Sequence, residues 1–399
     1  MNPALKLFTL CACIVAVSCR SPEMTKIHTI NIPEALDNIG PINLSEIAKS
    51  IKYIPLETKE ESFIGSNPQI LYDDNYIVVA DHTGIIKVFD NDGKFIRSIN
   101  RIGRGPEEYT PSFSEYSLIN GNIVISNRNQ IIEYDISGNF IRRVATPTVD
   151  EYSAILPIML GENRYISPLY NTSYEEKEYC AVIYDTLSDI TKMVAIRAIP
   201  GRAVPGAQLR STNSSGETVT FFRIMLYTLF QYGETCRLFF PDSKEIYFVD
   251  KSNVLDTAFV IEYGAYRVPN GDYTESSDDS RHISISDFIE SEDLLFARVD
   301  TRATISGTKY SHLIYDKQTK KSSILYNSSE NKTGLKDDIA NGPEFWPSKV
   351  SGKKTLISQI SALSFIEFSE NNTLPKELEK VTSVINEDSN PIAVIVELK

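Results

Sequence analysis

The first half of the chain contains two segments, Ile77–Ile99 and Ile123–Val144, that match nearly position by position. Each reads as a strand, a polar turn, a strand that ends in an aromatic residue followed by Asp, a tight turn with Gly, and a further strand. The Asp side chain bonds its own backbone in such turns, and Gly adopts positive φ without steric cost. The repeat therefore predicts antiparallel three-strand units built on one plan.

The aromatic-Asp signal recurs along most of the chain. Phe89-Asp90 and Tyr134-Asp135 lie 45 residues apart, and the later pairs are separated by up to 66 residues. Sheet units at this spacing are typical of β-propeller blades with loop insertions. The alternative is a two-sheet sandwich whose strands resemble one another by accident. The later pairs match the pattern more weakly, and they are Tyr184-Asp185, Tyr315-Asp316 and Val249-Asp250, in which Val takes the aromatic position.

Five units follow from these pairs, and the two chain ends together complete a sixth. Pro391–Leu398 contains an apolar run typical of a buried strand, and Ile51–Leu56 reads as a strand in which Pro55 requires an edge or bulged position. Pairing of these two strands closes the ring and leaves no free sheet edge. A helix over Pro375–Ile385 is predicted as a short C-terminal insertion. The predicted fold is all-β, a six-bladed β-propeller over residues 43–399 closed by N- and C-terminal strands.

The N-terminus carries an export signal. Lys6 precedes an apolar run, Leu7–Val17, that is too short to span a bilayer, and the small residues at its end lead to Cys19. This pattern is typical of a bacterial lipoprotein signal peptide over residues 1–18, with Cys19 as the lipid-attachment residue. An ordinary signal peptide is the alternative. Residues 19–42 are interpreted as a tether, because prolines interrupt them.

The expected location is the cell envelope, with the protein lipid-anchored to the outer membrane on its periplasmic or its surface face. The formal net charge of −13 argues against nucleic acid as a partner, since binding a phosphate backbone requires clustered Lys and Arg. The expected partners are the membrane, through the lipid, and a glycan, a peptide or another envelope protein. Once the signal and the lipidated Cys19 are set aside, Cys180 and Cys236 remain, either as one disulfide or as separate buried thiols.

Several stretches resemble a known family. Tyr53–Thr58, Ile64-Gly65 and Gly103–Tyr109 follow the order found in the six-bladed β-propeller lipoproteins of Bacteroidota, which are similar to NHL-type propellers, and Gly342–Pro347 resembles a motif late in such chains. Glu107 stands where the family's G-x-G-P-G-E-Y motif has its third glycine, which restricts the backbone of that loop. The resemblance covers nearly the whole mature chain. It implies a propeller in the envelope, but related propellers include binders, scaffolds and a few enzymes.

The candidate ligand-binding residues are those whose loops could converge on the channel of a propeller. Arginine forks and aromatic faces suit carboxylates, sugars or peptides. For the arginines the alternative is a solvated face, and for the aromatic residues it is packing between blades. The candidates are Arg97, Arg101, Arg104, Glu108, Tyr109, Phe345 and Trp346.

No catalytic residue, cofactor or metal site is predicted. The sequence has no G-x-S-x-G motif, its four histidines (His28, His82, His282 and His312) lack ligand spacing, and no carboxylate pair stands out for glycoside hydrolysis. His28 is expected to be solvated in the tether. The leading hypothesis is a non-catalytic binding or scaffolding lipoprotein that takes part in glycan or peptide capture. The alternative is an envelope lyase or hydrolase acting on glycans or peptides at the propeller axis.

Overall fold

Six antiparallel sheets follow one another along the chain, and the residues between neighbouring sheets form one hydrophobic cluster for each pair of neighbours, including the last sheet and the first. This arrangement confirms the predicted six-bladed β-propeller and excludes the two-sheet sandwich. The computed structural model describes residues 26–112, 114–150, 152–161, 163–171, 179–195, 208–212, 218–222, 228–233, 235–240, 243–249, 255–266, 283–305, 308–325 and 334–399.

The chain enters the ring earlier than the sequence suggested. Residues 28–40, predicted as part of a tether over residues 19–42, form β1 (His28–Asn31), α1 (Ile32–Asp37) and β2 (Ile39–Gly40). Pro33 does not interrupt this segment because it lies in the first turn of α1, where proline is favoured. Cys19 and the predicted signal peptide lie outside the described residues.

Apolar side chains explain why this segment docks. Ile30, Ile32 and Ala35 are fully buried in the cluster between the fourth and fifth blades. A single 3-10 turn, Leu44–Glu46, follows, and the Glu46 carboxylate accepts from the Asn43 backbone N–H at 3.0 Å. The chain then continues directly into β3 (Ala48–Pro55).

The two sequence repeats are the outer three strands of blades 1 and 2. In both repeats the aromatic-Asp pair lies at the end of the third strand of the blade, and the carboxylates of Asp90 and Asp135 accept backbone N–H groups of the following turn, as predicted. Blade 1 consists of β4 (Gln69–Tyr72), β5 (Tyr76–Ala80), β6 (Ile86–Asp90) and β7 (Phe95–Ile99), and blade 2 of β8 (Glu115–Ile119), β9 (Asn122–Asn127), β10 (Gln130–Tyr134) and β11 (Phe140–Ala145).

Blades 3 and 4 follow the same plan with additions. The first strand of blade 3 is split in two, a separate hairpin lies between the blades, and β1 adds to blade 4 in parallel. Blade 3 consists of β12 (Tyr152–Ala154), β13 (Ile158–Met159), β14 (Arg164–Asn171), β15 (Tyr179–Asp185) and β16 (Ile190–Ala195), the hairpin of β17 (Gln208–Thr212) and β18 (Thr218–Phe222), and blade 4 of β19 (Thr228–Tyr232), β20 (Thr235–Phe239), β21 (Glu245–Val249) and β22 (Leu255–Glu262).

Blade 5 is extended by β2, and blade 6 contains both chain ends. Blade 5 consists of β23 (Ile283–Glu290), β24 (Leu294–Ile305), β25 (Thr308–Asp316) and β26 (Ser322–Leu325), and blade 6 of β27 (Lys349–Ser351), β28 (Thr355–Ile360), β29 (Ile392–Leu398) and β3, with α2 (Ala362–Asn371) and α3 (Lys376–Ser383) inserted before β29.

The closure predicted from the sequence is confirmed. Strand β29 pairs antiparallel with β3, with Ile392 opposite Pro55, and β3 is the outermost strand of its sheet. Proline is tolerated at this edge because its missing N–H is not needed there. The predicted helix is α3, with Pro375 at its N-cap. Helix α2 was not predicted.

The blades are apolar on both faces. In β5, Ile77 and Val79 face blade 6, whereas Val78 and Ala80 face blade 2. Successive side chains of a strand point to opposite faces, so a strand packed on both sides reads as a continuous apolar run.

Cys180 and Cys236 both lie in the cluster between blades 3 and 4, and no disulfide joins them. Of the two alternatives for these cysteines, the structure therefore has buried thiols. Burial raises the pKa of the Cys236 thiol to about 12, so it stays protonated at physiological pH.

Candidate ligand-binding cavity

A cavity of about 590 Å³ lies where the first strands of the blades meet. Its wall contains residues of all six blades, which places it at the centre of the ring. The volume is within the range usual for small-molecule sites. Its charged lining residues are Glu133, Arg142, Glu290 and Lys349, and its aromatic ones are Tyr72, Tyr116 and Tyr232.

Lys349 begins the first strand of blade 6 and reaches towards blades 1 and 2. Its Nζ donates to Gln69 Oε1 at 3.1 Å and to the backbone carbonyl oxygen of Tyr116 at 2.7 Å. Among the described residues, the one carboxylate within 4.0 Å of the ammonium is that of Glu115, at 3.9 Å. Burial lowers the pKa of Lys349 from its usual value, and Glu115 offsets only part of that effect.

A second polar group connects blades 2 and 3. Arg142 Nε donates to Glu133 Oε1 at 2.9 Å, its Nη2 lies 2.7 Å from the same oxygen, and its Nη1 donates to Asn163 Oδ1 at 2.8 Å. The Glu133 side chain is 4% exposed. Its charge is therefore matched at hydrogen-bond distance by a guanidinium on the adjoining strand.

A third group lies between blades 4 and 5. Arg237 binds both carboxylate oxygens of Glu290, at 2.8 and 3.0 Å, and Lys317 Nζ donates to Glu290 Oε1 at 2.8 Å. The Tyr232 ring faces both cations, with its centroid 4.8 Å from Arg237 Cζ and 4.5 Å from Lys317 Nζ. Two buried cations thus share one carboxylate, and burial lowers the pKa of Lys317 although Glu290 opposes the shift.

The predicted arginines lie at the periphery of the ring. Arg97 is exposed on β7, the outermost strand of blade 1, and Arg101 and Arg104 are exposed in the loop that follows. None of the three lines the central cavity.

The Gly103–Tyr109 motif forms the loop between blades 1 and 2 and is hydrogen-bonded to both blades. Glu108 accepts from the Gly105 backbone N–H at 2.7 Å, and Arg143 of blade 2 donates to the carbonyl oxygens of Gly105 and Glu108 at 2.9 and 2.6 Å. Tyr109 is fully buried, and its hydroxyl donates to the Gly84 carbonyl. Packing between blades, the alternative given for the aromatic candidates, therefore accounts for Tyr109.

Phe345 and Trp346 lie between blades 5 and 6. Phe345 is 2% exposed, and its backbone N–H and carbonyl both pair with Leu335. Trp346 is half-buried, stacks on the His312 ring with centroids 3.9 Å apart, and contacts the Phe296 ring edge-on. Neither residue lines the cavity. Ligand contact by any of the seven candidates remains a prediction.

His28 differs from its expected state. Its Nδ1 lies 3.3 Å from the Tyr315 hydroxyl, its ring packs 5.4 Å from that of Phe259, and burial lowers its pKa. The residue is part of the docked β1 and not of a solvated tether. His282 lies outside the described residues. Within the described part of the chain, no group of three or more His, Cys, Asp or Glu is placed to hold a metal ion.

Many of the residues that line the cavity lie on the first strands of the blades, such as Gln69–Tyr72 and Glu115–Ile119, and the repeat covers only the second to fourth strands. Glu133 and Arg142 do lie within the repeat, but nothing in the local sequence shows that they face the cavity. First strands face the channel, so they carry polar residues and lack the continuous apolar run of a strand buried on both faces. The available signal was the position of each segment just before a recognised repeat.

Six blades around a shared central cavity define the class of protein as a β-propeller. Within that class, the chain belongs to the family of the domain of unknown function DUF4934, whose model matches residues 27–397. The matched residues extend from just before β1 almost to the end of the closing strand β29. No curated protein matches the chain.

Two solved structures of Bacteroides proteins are similar. One is a presumed exported protein of Bacteroides fragilis, with 17% identity and a TM-score of 0.63, covering 94% of this chain and 100% of its own. The other is a member of the DUF4221 family from Bacteroides vulgatus, with 10% identity and a TM-score of 0.47, covering 88% and 97%. At 17% identity the first likeness supports the fold alone. Among the helices of the described residues, none has the length and apolar character needed to cross a membrane.

Proposed function

We propose that this protein is a non-catalytic binding propeller of the cell envelope that holds a small polar ligand, a glycan or a peptide, in its central cavity. The observation that carries the proposal is the cavity itself, which residues of all six blades line and to which five of the blades contribute charged or aromatic side chains. Such concave sites with a few convergent polar groups are the usual form of small-molecule binding sites.

The state of the cavity carboxylates favours binding over catalysis. Glu133 is paired with Arg142, and Glu290 with Arg237 and Lys317, all at 2.7–3.0 Å. Both oxygens of Glu290 and Oε1 of Glu133 are thereby occupied by cationic donors. A general acid or base must instead be available to exchange a proton with the substrate.

A panel of neutral and charged oligosaccharides and peptides, titrated into the purified protein by calorimetry, tests the proposal. We expect at least one member to bind and to be recovered chemically unchanged after prolonged incubation. Turnover of a panel member, abolished by Glu133→Gln in a variant that still unfolds at the wild-type temperature, would contradict the proposal and support the lyase or hydrolase alternative.

The proposed setting is the outer membrane, with the protein held by a lipid on Cys19, as in the NHL-like propeller lipoproteins that the sequence resembles. The small residues before Cys19 support this placement. We expect Cys19→Ala to remove the acyl mass from the mature N-terminal peptide and to shift the protein from the membrane fraction to the soluble fraction. Cys11→Ala, a change within the predicted signal, is the control and should leave both unchanged.

A further inference from the structure

The cavity wall is positive although the whole chain is acidic. Two carboxylates line the cavity, whereas four cations either line it or pair with those carboxylates, within the part of the chain that the structure describes. If Glu115 is included, one positive charge remains in excess. With a formal net charge of −13 for the chain, this wall differs in sign from the molecule that surrounds it.

Part of this excess lies at Glu290, which two cations share, and the rest lies at Lys349, which among the described residues has no carboxylate at hydrogen-bond distance. Arg142, Arg237 and Lys317 each donate to a carboxylate at 3.0 Å or less, whereas the hydrogen-bond acceptors of Lys349 are a neutral amide and a backbone carbonyl. Its neighbour Glu115 lies 3.9 Å away and its side chain is 67% exposed. Solvent screens a carboxylate at that exposure, so the ammonium is only weakly neutralised.

We infer that the cavity binds a carboxylate-bearing sugar, with the carboxylate placed against Lys349 Nζ. The inference rests on the proposed function and names the ligand class for the same site. The Lys349 side chain is 28% exposed, so an anion entering the cavity can reach it. The two bonds from Nζ to Gln69 and Tyr116 hold the ammonium in place and leave its third proton for the ligand.

The remainder of the wall suits the rest of such a ligand. Asn120 and Asn122 supply amide donors and acceptors for hydroxyl groups, Gln231 supplies an amide oxygen, since its Nε2 already donates to two backbone carbonyls, and the Tyr72 ring supplies a flat apolar face. This combination of amides, an aromatic face and one available cation favours an acidic sugar over an anion that has no sugar ring.

Calorimetric titration with trigalacturonic acid and with its fully methyl-esterified form separates charge from shape. The two compounds share the sugar backbone, but the ester lacks the negative charges. We expect the wild-type protein to bind the acid at least tenfold more tightly than the ester, since a charge-assisted hydrogen bond in a partly buried site is stronger than a neutral one.

Variants of Lys349 test whether its ammonium group is the charge that binds the carboxylate. We expect Lys349→Gln to lose at least tenfold in affinity for the acid while its affinity for the ester stays within about threefold, and Lys349→Arg to keep most of the affinity for the acid. Lys52→Met removes one exposed positive charge from β3 in the same blade and should bind as the wild type does. Thermal unfolding of each variant confirms that it is folded.

Equal affinity for acid and ester, or a folded Lys349→Gln variant that binds the acid as tightly as the wild type, would overturn the inference. If neutral members of the wider panel bind but the acid does not, the inference fails and the proposed function stands. If no panel member binds at all, both fail.

Discussion

Gly93, in the turn between β6 and β7 of blade 1, lies against the end of β3. Its φ of +81° is in the left-handed region, and a Cβ built there would lie 2.3 Å from the backbone carbonyl oxygen of Pro55 at the end of β3. The carbonyl belongs to a paired strand and cannot turn away easily. We expect Gly93→Ala to lower the free energy of unfolding by about 2–4 kcal/mol, measured by urea unfolding, because backbone strain adds to the overlap.

Gly121→Ala is the matched control. Gly121 has a φ of +75°, but a Cβ at this position would have no atom within 4 Å of it. Only the conformational cost applies, and we expect a loss of about 1 kcal/mol. Equal losses of unfolding free energy for the two variants would show that the contact with Pro55 does not destabilise Gly93→Ala.

At the scale of elements, Asn390 joins the entry of the closing strand to the segment that follows β3. Its Oδ1 accepts from the Ile64 backbone N–H at 2.8 Å, and its Nδ2 donates to the carbonyl oxygens of Glu57 and Ser62 at 2.8 and 2.9 Å. Asn390→Ala leaves these three backbone groups without hydrogen-bond partners where the two chain ends meet in blade 6. We expect a loss of about 2–4 kcal/mol in the free energy of unfolding, measured in urea.

Asn371→Ala is the comparison for Asn390. The Asn371 side chain is exposed at the end of α2 and donates to the Glu367 carbonyl oxygen at 2.8 Å. Because water can replace that bond, the loss should stay below about 1 kcal/mol. A similar, small loss for Asn390→Ala would mean that its three bonds do not hold the ring closed.

The contact between blades 4 and 5 depends on an ion network. Removing the carboxylate with Glu290→Ala leaves Arg237 and Lys317 buried without their counter-charge, and the Arg237 and Lys317 side chains are only 8% and 10% exposed. We expect a loss of about 3–5 kcal/mol in the free energy of unfolding, measured by denaturant titration. Asp287→Asn, in an exposed pair with Arg298 at 3.8 Å, should change the free energy by less than about 0.5 kcal/mol. A Glu290 effect of that small size would contradict the role given to the network.

For the whole molecule, buried aromatic packing between blades predicts sensitivity to alkali. Burial raises the pKa of Tyr116, Tyr134 and Tyr165 to about 12 each, from an ordinary value of 10.0. Between these values the unfolded chain has released the phenolic protons and the folded chain has kept them. The resulting stability is fully present below pH 10 and is lost as the pH rises towards 12.

Unfolding by urea at several pH values, combined with the ultraviolet absorbance of tyrosinate, measures this effect. We expect the free energy of unfolding to fall steadily above pH 10 and a class of tyrosines to ionise only near pH 12 or upon unfolding. Stability that is unchanged between pH 10 and 12, with all tyrosines ionising near pH 10, would contradict the burial of these rings.

The outer strands of the blades could be predicted from the sequence because their determinants are local. Asp90 and Asp135 cap their own turns, and Gly93 and Gly138 adopt positive φ beside them, so a few adjacent residues carry the signal. The pairing of the two chain ends was also predictable, since a strand with apolar residues on both faces requires a partner. The tether prediction was wrong over residues 28–40 because Pro33 lies in the first turn of a helix and does not interrupt the docked segment.

The sequence by itself determined the repeated turn, the strand pattern and the need for closure, because each follows from the chemistry of neighbouring residues. Only the tertiary structure decided the site. Lys349, Glu133 and Glu290 are far apart in the chain, and they line one cavity because the six blades converge on one axis. It also decided that Tyr109 and Phe345, predicted to contact a ligand, are buried between blades. Long-range convergence depends on how the blades pack, and no local pattern of residues encodes it.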